Sequence, residues 1–320
     1  MGFSGTNARM RAIAIERFGG RDELRPMDLP DPKVGPDWVL VRVRAAGINP
    51  VDFKLREGYL DAAFNHRFPV VLGWDVAGVV EQAGPAVVDL AVGDEVYAYG
   101  RKTEVAEGTY AELVSLPAAM VARKPAGLTF TQAAGVPLAG LTAWQALVEA
   151  AGVQSGERVL VQAAAGGVGH LAVQIAVARG AEVIGSASPA NHDFVRSLGA
   201  TEVIDYTAGP VAGQVDPQVD VLFDLFGGDA LADARGAVRS GGRVVSIADP
   251  QPAGDRDDVQ GRYVFVRPSA DGLDALTVLF DAGDLRVEVA ATYPLEQTAA
   301  AHERLEEGHV RGKLVLEVSS

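Results

Sequence analysis

The sequence predicts an α/β protein of two domains, a mostly β domain followed by a doubly wound parallel sheet, and three observations predict it. The chain has 320 residues, 48% of them hydrophobic, which exceeds the size at which a single core keeps growing and supplies material for two. Short β segments broken by glycine and proline fill the first part, whereas beyond Thr131 near-continuous apolar strands alternate with helical stretches. Within that second part VLVQAAAGGVGHLAVQIAVARG, Val159 to Gly180, lays an apolar strand, a glycine turn and an amphipathic helix end to end.

Taken in order, residues 1–9 (MGFSGTNAR) are small and polar and are expected to form a flexible extension. RAIAIE, VLVRVRAAG, AGVVEQAG, GDEVYAYG and YAELVSLP then read as strands of a barrel-like domain over 10–125. The domain over 126–283 opens on the helix-like QAAGVPLAGLTAWQALVEAAG and continues with strands at VLVQA, EVIGSA, EVIDY, VDVLFDLF and GRVVSIA. Strands this apolar belong to a parallel sheet covered on both faces. Asp249 to Asp258 is a polar loop, followed by a strand at Arg262 to Val266 and a helix around Leu273 to Phe280. The tail, 284–320, carries RVEVAATYPL, a helix near Glu296 to Glu306, and KLVLEV, and is expected to return to the β domain.

Composition removes several function classes. A formal charge of −14 repels polyphosphate backbones and anionic lipid, which disfavours nucleic-acid and membrane partners. No apolar run reaches the ~20 residues of a membrane span, and the first residues lack the apolar core of a secretion signal, so a cytoplasmic protein is expected. The absence of cysteine excludes a thiol nucleophile and thiolate-ligated metal. The five histidines, His66, His170, His192, His302 and His309, form no His-x-x-x-His pair and read as surface or helix-face residues; no metal site is expected.

Ala164, Gly166 and Gly169 occupy the three glycine positions of Gly-x-Gly-x-x-Gly, with Gly167 and Val168 between them. Such a turn brings backbone close to a pyrophosphate and aims the amides opening the Val168 helix at the phosphates, so it is read as a dinucleotide site rather than an ordinary strand-to-helix turn. Enzymes that use NAD place an acid about 20 residues beyond the turn to bind the ribose 2′-hydroxyl. Ser186 and Ser188 stand there instead, which removes the repulsion against a 2′-phosphate and favours NADPH. No Lys or Arg lies between Ala181 and Val195, so the phosphate is left to Ser188, Asn191, His192 or a more distant base. Arg311 and Lys313 are further cationic candidates, expected closer to the pyrophosphate or nicotinamide.

The segments GINPVDFKLREGY (47–59), LGWDVAGVVEQAG (72–84), VGDEV (92–96), AGLTAWQAL (139–147), AAAGGVG (163–169), LGATEVIDY (198–206) and HVRGKLVLEV (309–318) together resemble the medium-chain dehydrogenase/reductase superfamily. Within it they resemble the zinc-independent quinone oxidoreductases. The resemblance implies a GroES-like, mostly β catalytic domain made from both chain ends, a central Rossmann doubly wound domain, and a cleft for NADPH and an electrophilic substrate. It further implies that Asn49 lies beside the nicotinamide, that Thr142 contacts its carboxamide, that Tyr206 lies next to the adenosine phosphate, and that a homodimer forms through the Rossmann domains.

The chain departs from the zinc-dependent alcohol dehydrogenases of that superfamily where their metal sits. Their Gly-Ile-Cys-x-x-Asp-x-His is here Gly47-Ile48-Asn49-Pro50-Val51-Asp52-Phe53-Lys54, and their Gly-His-Glu is Gly73-Trp74-Asp75. One remaining carboxylate does not make the three-ligand set of catalytic zinc. Without a Lewis acid, hydride transfer to a quinone or an α,β-unsaturated carbonyl is the easier chemistry, because the charge spreads onto a distant oxygen and the protein supplies alignment and a hydrogen bond there. Asn49 and Tyr59 are the candidates for that oxygen, with Lys54 behind them; Asn49-Pro50 also fits a plain turn, and Tyr59 a packing role. An enoyl-thioester reductase and a catalytically inactive NADPH-binding regulator are the alternatives.

Overall fold

A computed structural model of the chain describes residues 8–318. The N-terminal part contains β1 (Arg9–Ile15), β2 (Arg25–Pro30), β3 (Trp38–Ile48), α1 (Pro50–Arg56), β4 (Asn65–His66), β5 (Val70–Val71), β6 (Asp75–Ala83), β7 (Glu95–Tyr99), β8 (Glu104–Val105), β9 (Leu113–Pro117) and β10 (Val121–Arg123). β1 already takes in Arg9 and pairs it with Pro30. The expected extension is therefore shorter than 1–9, and its residues 1–7 lie outside the described ones.

The middle of the chain forms α2 (Phe130–Ala134), α3 (Pro137–Trp144), β11 (Arg158–Val161), α4 (Gly169–Ala178), β12 (Glu182–Ala187), α5 (His192–Ser197), β13 (Glu202–Asp205), β14 (Val219–Asp224), α6 (Gly228–Ala234), β15 (Val238–Ser246), β16 (Gln260–Tyr263) and α7 (Ala270–Ala282). Its six strands pair in the order β13-β12-β11-β14-β15-β16, all parallel. Numbered from β11, that is the 3-2-1-4-5-6 order of dinucleotide-binding sheets. Alternate side chains serve opposite faces: Val159, Val161, Val221 and Phe223 enter the main core with Leu171 and Ile175 of α4. Leu160, Leu222 and Val244 enter a second cluster with Leu231 and Ala234 of α6. The period of two and the continuous apolarity are thus the same fact, since both faces are covered.

Two elements differ from expectation. The single helix expected over QAAGVPLAGLTAWQALVEAAG is broken into α2, α3 and a π-helical turn, Gln145–Ala150. Pro137 has no amide to continue the α2 ladder, and it sits instead at the first position of a new helix. The sixth strand ends at Tyr263 rather than Val266, so Val264 and Phe265 are free to face the cleft.

β17 (Val289–Pro294), α8 (Thr298–Glu306) and β18 (Lys313–Glu317) close the described chain. β18 pairs antiparallel with β3, Leu314 opposite Ile48, and parallel with β17. It extends the sheet β10-β7-β6-β3-β18-β17, which also receives β9 along β3. Among the described residues no helix is long and apolar enough to cross a membrane.

Candidate active site

A cleft of ≈ 960 Å³ runs along the carboxyl ends of the parallel strands. Gln162 and Ala163 follow β11, Ser186 to Ser188 end β12, Tyr206 follows β13, Phe226 follows β14, Ile247 follows β15 and Val264 follows β16, and all of them line it. Parallel sheets place ligands at this end, where the strand order reverses. The opposite wall comes from Ile48 to Val51, Trp74, Tyr99 and the segment Gly312 to Leu314.

Gly166, Gly167 and Val168 line the cleft, while Ala164 and Gly169 lie beneath as packing. A Cβ on Gly169 would stand 2.1 Å from the Ala163 carbonyl oxygen, and one on Gly167 would stand 3.1 Å from Cδ of Lys313. The turn therefore presents bare backbone at the mouth of α4. Its left-handed residue is Ala163, at φ 46°, not the Ala164 that stands in the first glycine slot. Ala164 fits because Gly185 faces it: a Cβ on Gly185 would be 2.9 Å from that of Ala164. His170 of α4 is buried, with Nδ1 2.9 Å from the Gly166 carbonyl oxygen, and burial holds its pKa down at about 4. The ring is neutral and its Nε2 accepts from the Glu288 amide. His170 and His302 do lie on helices but are buried rather than on the surface.

At the other wall Asn49 caps α1, with Pro50 at its first position. Its amide donates to Asp52 Oδ2 (2.7 Å), its side-chain Nδ2 donates to Asp75 Oδ2 (2.9 Å), and Lys313 Nζ donates to its Oδ1 and to the Ile48 carbonyl. Asp75 also accepts the Leu138 amide (2.8 Å), one of the orphan donors that open α3. Tyr110 donates its hydroxyl to Asp52 Oδ2 (2.8 Å). Burial pushes Asp52 up to about 7 and Asp75 up to about 6, and it lowers Lys313 from its ordinary value. A chain of buried, hydrogen-bonded charges thus underlies the cleft at Asn49.

The structure separates the remaining expected residues. Thr142 lines the cleft but donates its hydroxyl to the Leu138 carbonyl one turn back (2.7 Å). Ser186, Ser188, Asn191 and Tyr206 line it too. His192 does not; its Nε2 lies 3.2 Å from the Ala187 carbonyl oxygen. Tyr59 and Lys54 are corrected. Along α1 the buried residues are Asp52, Leu55 and Arg56, one inward stripe, so Lys54 faces out, and Tyr59 beyond the helix is 72% exposed. Neither lines the cleft. Arg311 is not in the cleft lining either: its Nε donates to Asn191 Oδ1 (2.8 Å), its Nη2 to the Ala190 carbonyl (3.0 Å), and its guanidinium lies over Phe194, just beyond the end of β12.

Sequence reasoning missed Gln162, Phe226 and Phe265. Gln162 Oε1 is buried without a partner although the side chain lines the cleft, and its Nε2 donates to the Ala230 carbonyl. Its signal was a lone amide closing the apolar run VLVQ. An unpaired buried acceptor beside a bare-backbone turn at a helix mouth fits a polyhydroxylated dinucleotide.

Residues 35–126 match the family model of the alcohol dehydrogenase GroES-like domain, and residues 198–316 match that of the zinc-binding dehydrogenases. The chain is 34% identical to the NAD(P)H oxidoreductase RTN4IP1, mitochondrial, of Mus musculus, over 99% of this chain and 92% of that protein. It belongs to the medium-chain dehydrogenase/reductase superfamily, in its quinone oxidoreductase family. As a member of that family it is also similar to the NADPH-dependent alkenal/one oxidoreductase, chloroplastic, of Arabidopsis thaliana, at 36% identity over 96% of this chain and 79% of that one. The quinone oxidoreductase from Coxiella burnetii superposes with a TM-score of 0.89 at 34% identity, covering 98% of this chain and 100% of that chain. The protein is an oxidoreductase that uses a nicotinamide cofactor.

Proposed function

We propose that this oxidoreductase uses NADPH to reduce a quinone or an α,β-unsaturated carbonyl, without zinc. The observation that carries the reading is a single cleft with a bare-backbone dinucleotide turn on one wall and, on the other, Asn49 where the zinc-dependent enzymes of the superfamily hold their metal. Gly166, Gly167, Val168, Gln162 and Thr142 would hold the dinucleotide. When bound, reduced nicotinamide supplies a hydride. Asn49 offers an uncharged amide donor to the oxygen that gains charge. Trp74, which is buried and meets Phe64 and Tyr99 edge-on, forms with the buried Tyr99 and the half-exposed Phe265 an aromatic wall suited to a planar conjugated substrate.

The metal-free reading rests on what Asp75 already does. Both of its oxygens accept hydrogen bonds, from Asn49 and from Leu138, and Trp74 offers no lone pair where a histidine would ligate. Metal analysis of active protein is expected to find no stoichiometric zinc. The preference for NADPH is supported by Ser186 and Ser188 in place of an acid, and by Arg311 at Asn191, which brings a cation to the strand end that lacks one locally. The same sheet offers the exposed edge strand β16 for pairing with a second copy, so a homodimer belongs to this reading.

An NADPH-consumption screen across benzoquinones, alkenals and enoyl thioesters tests it. Turnover of the first or second class supports the proposal, and preference for thioesters replaces it with an acyl-thioester reductase. Binding of NADPH with no consumption anywhere on the panel replaces it with a regulatory role.

A further inference from the structure

A carboxamide can be placed either way round, and at Asn49 the neighbours decide which. The Lys313 ammonium only donates, so the terminal atom facing it, 2.5 Å away, has to be the oxygen. Asp75 Oδ2 accepts, so the atom 2.9 Å from it has to be the nitrogen. Both neighbours are themselves held. Asp75 is fully buried and also accepts the Leu138 amide, and Lys313 is 4% exposed and also donates to the Ile48 carbonyl. Turning the amide over would set nitrogen against ammonium and oxygen against carboxylate, costing each buried charge one of its hydrogen bonds and replacing it with a repulsive contact. An amide nitrogen carries two hydrogens, Asp75 uses one, and Asn49 lines the cleft.

We infer that Lys313 and Asp75 are positioning residues that lock the Asn49 carboxamide in one orientation, so that its second N–H is aimed at the oxygen of the bound acceptor. This rests on the proposed reduction, in which that oxygen gains charge. Asp75 lies outside the cleft lining, and Lys313, which is part of that lining, spends its ammonium on Asn49 and the Ile48 carbonyl, so each acts through Asn49. The two come from distant parts of the chain, β6 and β18, and Lys313 also runs beside Gly167 of the dinucleotide turn. A direct action of Lys313 on the cofactor is therefore the rival explanation, and the two make different predictions.

Lys313→Met is expected to lower turnover about 10- to 100-fold while the NADPH dissociation constant stays within about two-fold. The double variant with Asn49→Ala is expected to be no slower than Asn49→Ala alone, because the lysine works only through that amide. Additive losses, or NADPH affinity weakened about tenfold or more in Lys313→Met, would overturn the inference. Asp75→Leu, which is close in volume, leaves Lys313 in place and removes both acceptors, is expected to show the same pattern and serves if the lysine variant does not fold. A readout independent of turnover is the Asn49 side-chain 15N–1H pair, assigned by its loss in Asn49→Ala. It is expected to be slow to exchange in the parent and fast in Asp75→Leu, and equal exchange in the two would overturn the locking. Parent protein that reduces no quinone or enal sinks the reaction, while the amide signal still judges the lock.

Discussion

Asp52 accepts two hydrogen bonds through Oδ2, from the Asn49 amide and the Tyr110 hydroxyl, while its buried Oδ1 has no partner. Burial pushes it up to about 7, far above the usual carboxylate range. Between about pH 4 and 7 the folded chain therefore holds a proton here that the unfolded chain has released, so this residue's contribution to stability falls as pH rises through that window. Asp52→Asn keeps an acceptor for both bonds and does not titrate. The difference in urea midpoint between variant and parent is expected to widen in the variant's favour from about pH 4 to 7 and level off above; parallel curves would remove the argument. Asn49→Ala is expected to cut turnover about 100-fold with NADPH affinity little changed, and equal loss of both would show Asn49 to be a cofactor ligand only. Asn49 was legible from the chain because it stands where a metal ligand is expected. Lys313 was visible only as a charge near the end, since nothing local shows that it is buried beneath Asn49. Tyr59 was misread because an amphipathic ring fits a site or a surface equally well.

At the scale of elements, the glycine turn is fixed by close approaches rather than by glycine content. Ala163 takes the left-handed conformation and Ala164 is accommodated by Gly185 across the strand pair. A Cβ at Gly185 would meet Val195 at 2.5 Å as well as Ala164. Gly185→Ala is accordingly expected to cost about 1–3 kcal/mol of stability, and the pair Gly185→Ala with Ala164→Gly to recover part of it, measured by denaturant unfolding. A Gly185→Ala variant as stable as the parent would show that α5 moves away freely. The strands β11, β12, β13 and β14 were readable because their apolar runs are bounded by turns. The division of α2 from α3 was not foreseen although Pro137 marked it, and it matters, because it frees the Leu138 amide for Asp75.

At the scale of the whole molecule, the return of the tail decides how the cleft is charged. β18 pairs with β3 and leaves Arg311 and Lys313, two residues apart, serving different walls: one at Asn191 and the other at Asn49. Arg311→Ala is expected to raise the KM for NADPH about tenfold and leave that for NADH nearly unchanged; equal effects on both would place Arg311 outside the phosphate site. The two-part architecture and the parallel sheet followed from patterns that local sequence records, whereas the order of the strands came only with the structure. The pairing of the last strand with the third, and hence the far side of the site, depends on contacts between residues more than 250 positions apart, such as Leu314 with Ile48.

That long-range pairing also sets when activity can begin during synthesis. In a nascent chain the residues of the glycine turn, of the parallel strands and Asn49 all precede β18, and until β18 emerges Asn49 lacks its lysine and β3 keeps an open edge at Ala45 to Ile48, beyond the stretch paired with β9. Translation must proceed past Glu317 and clear the ribosome before the crevice is complete, so a polypeptide stalled after α8 is expected to be catalytically silent and to expose an edge that invites aggregation.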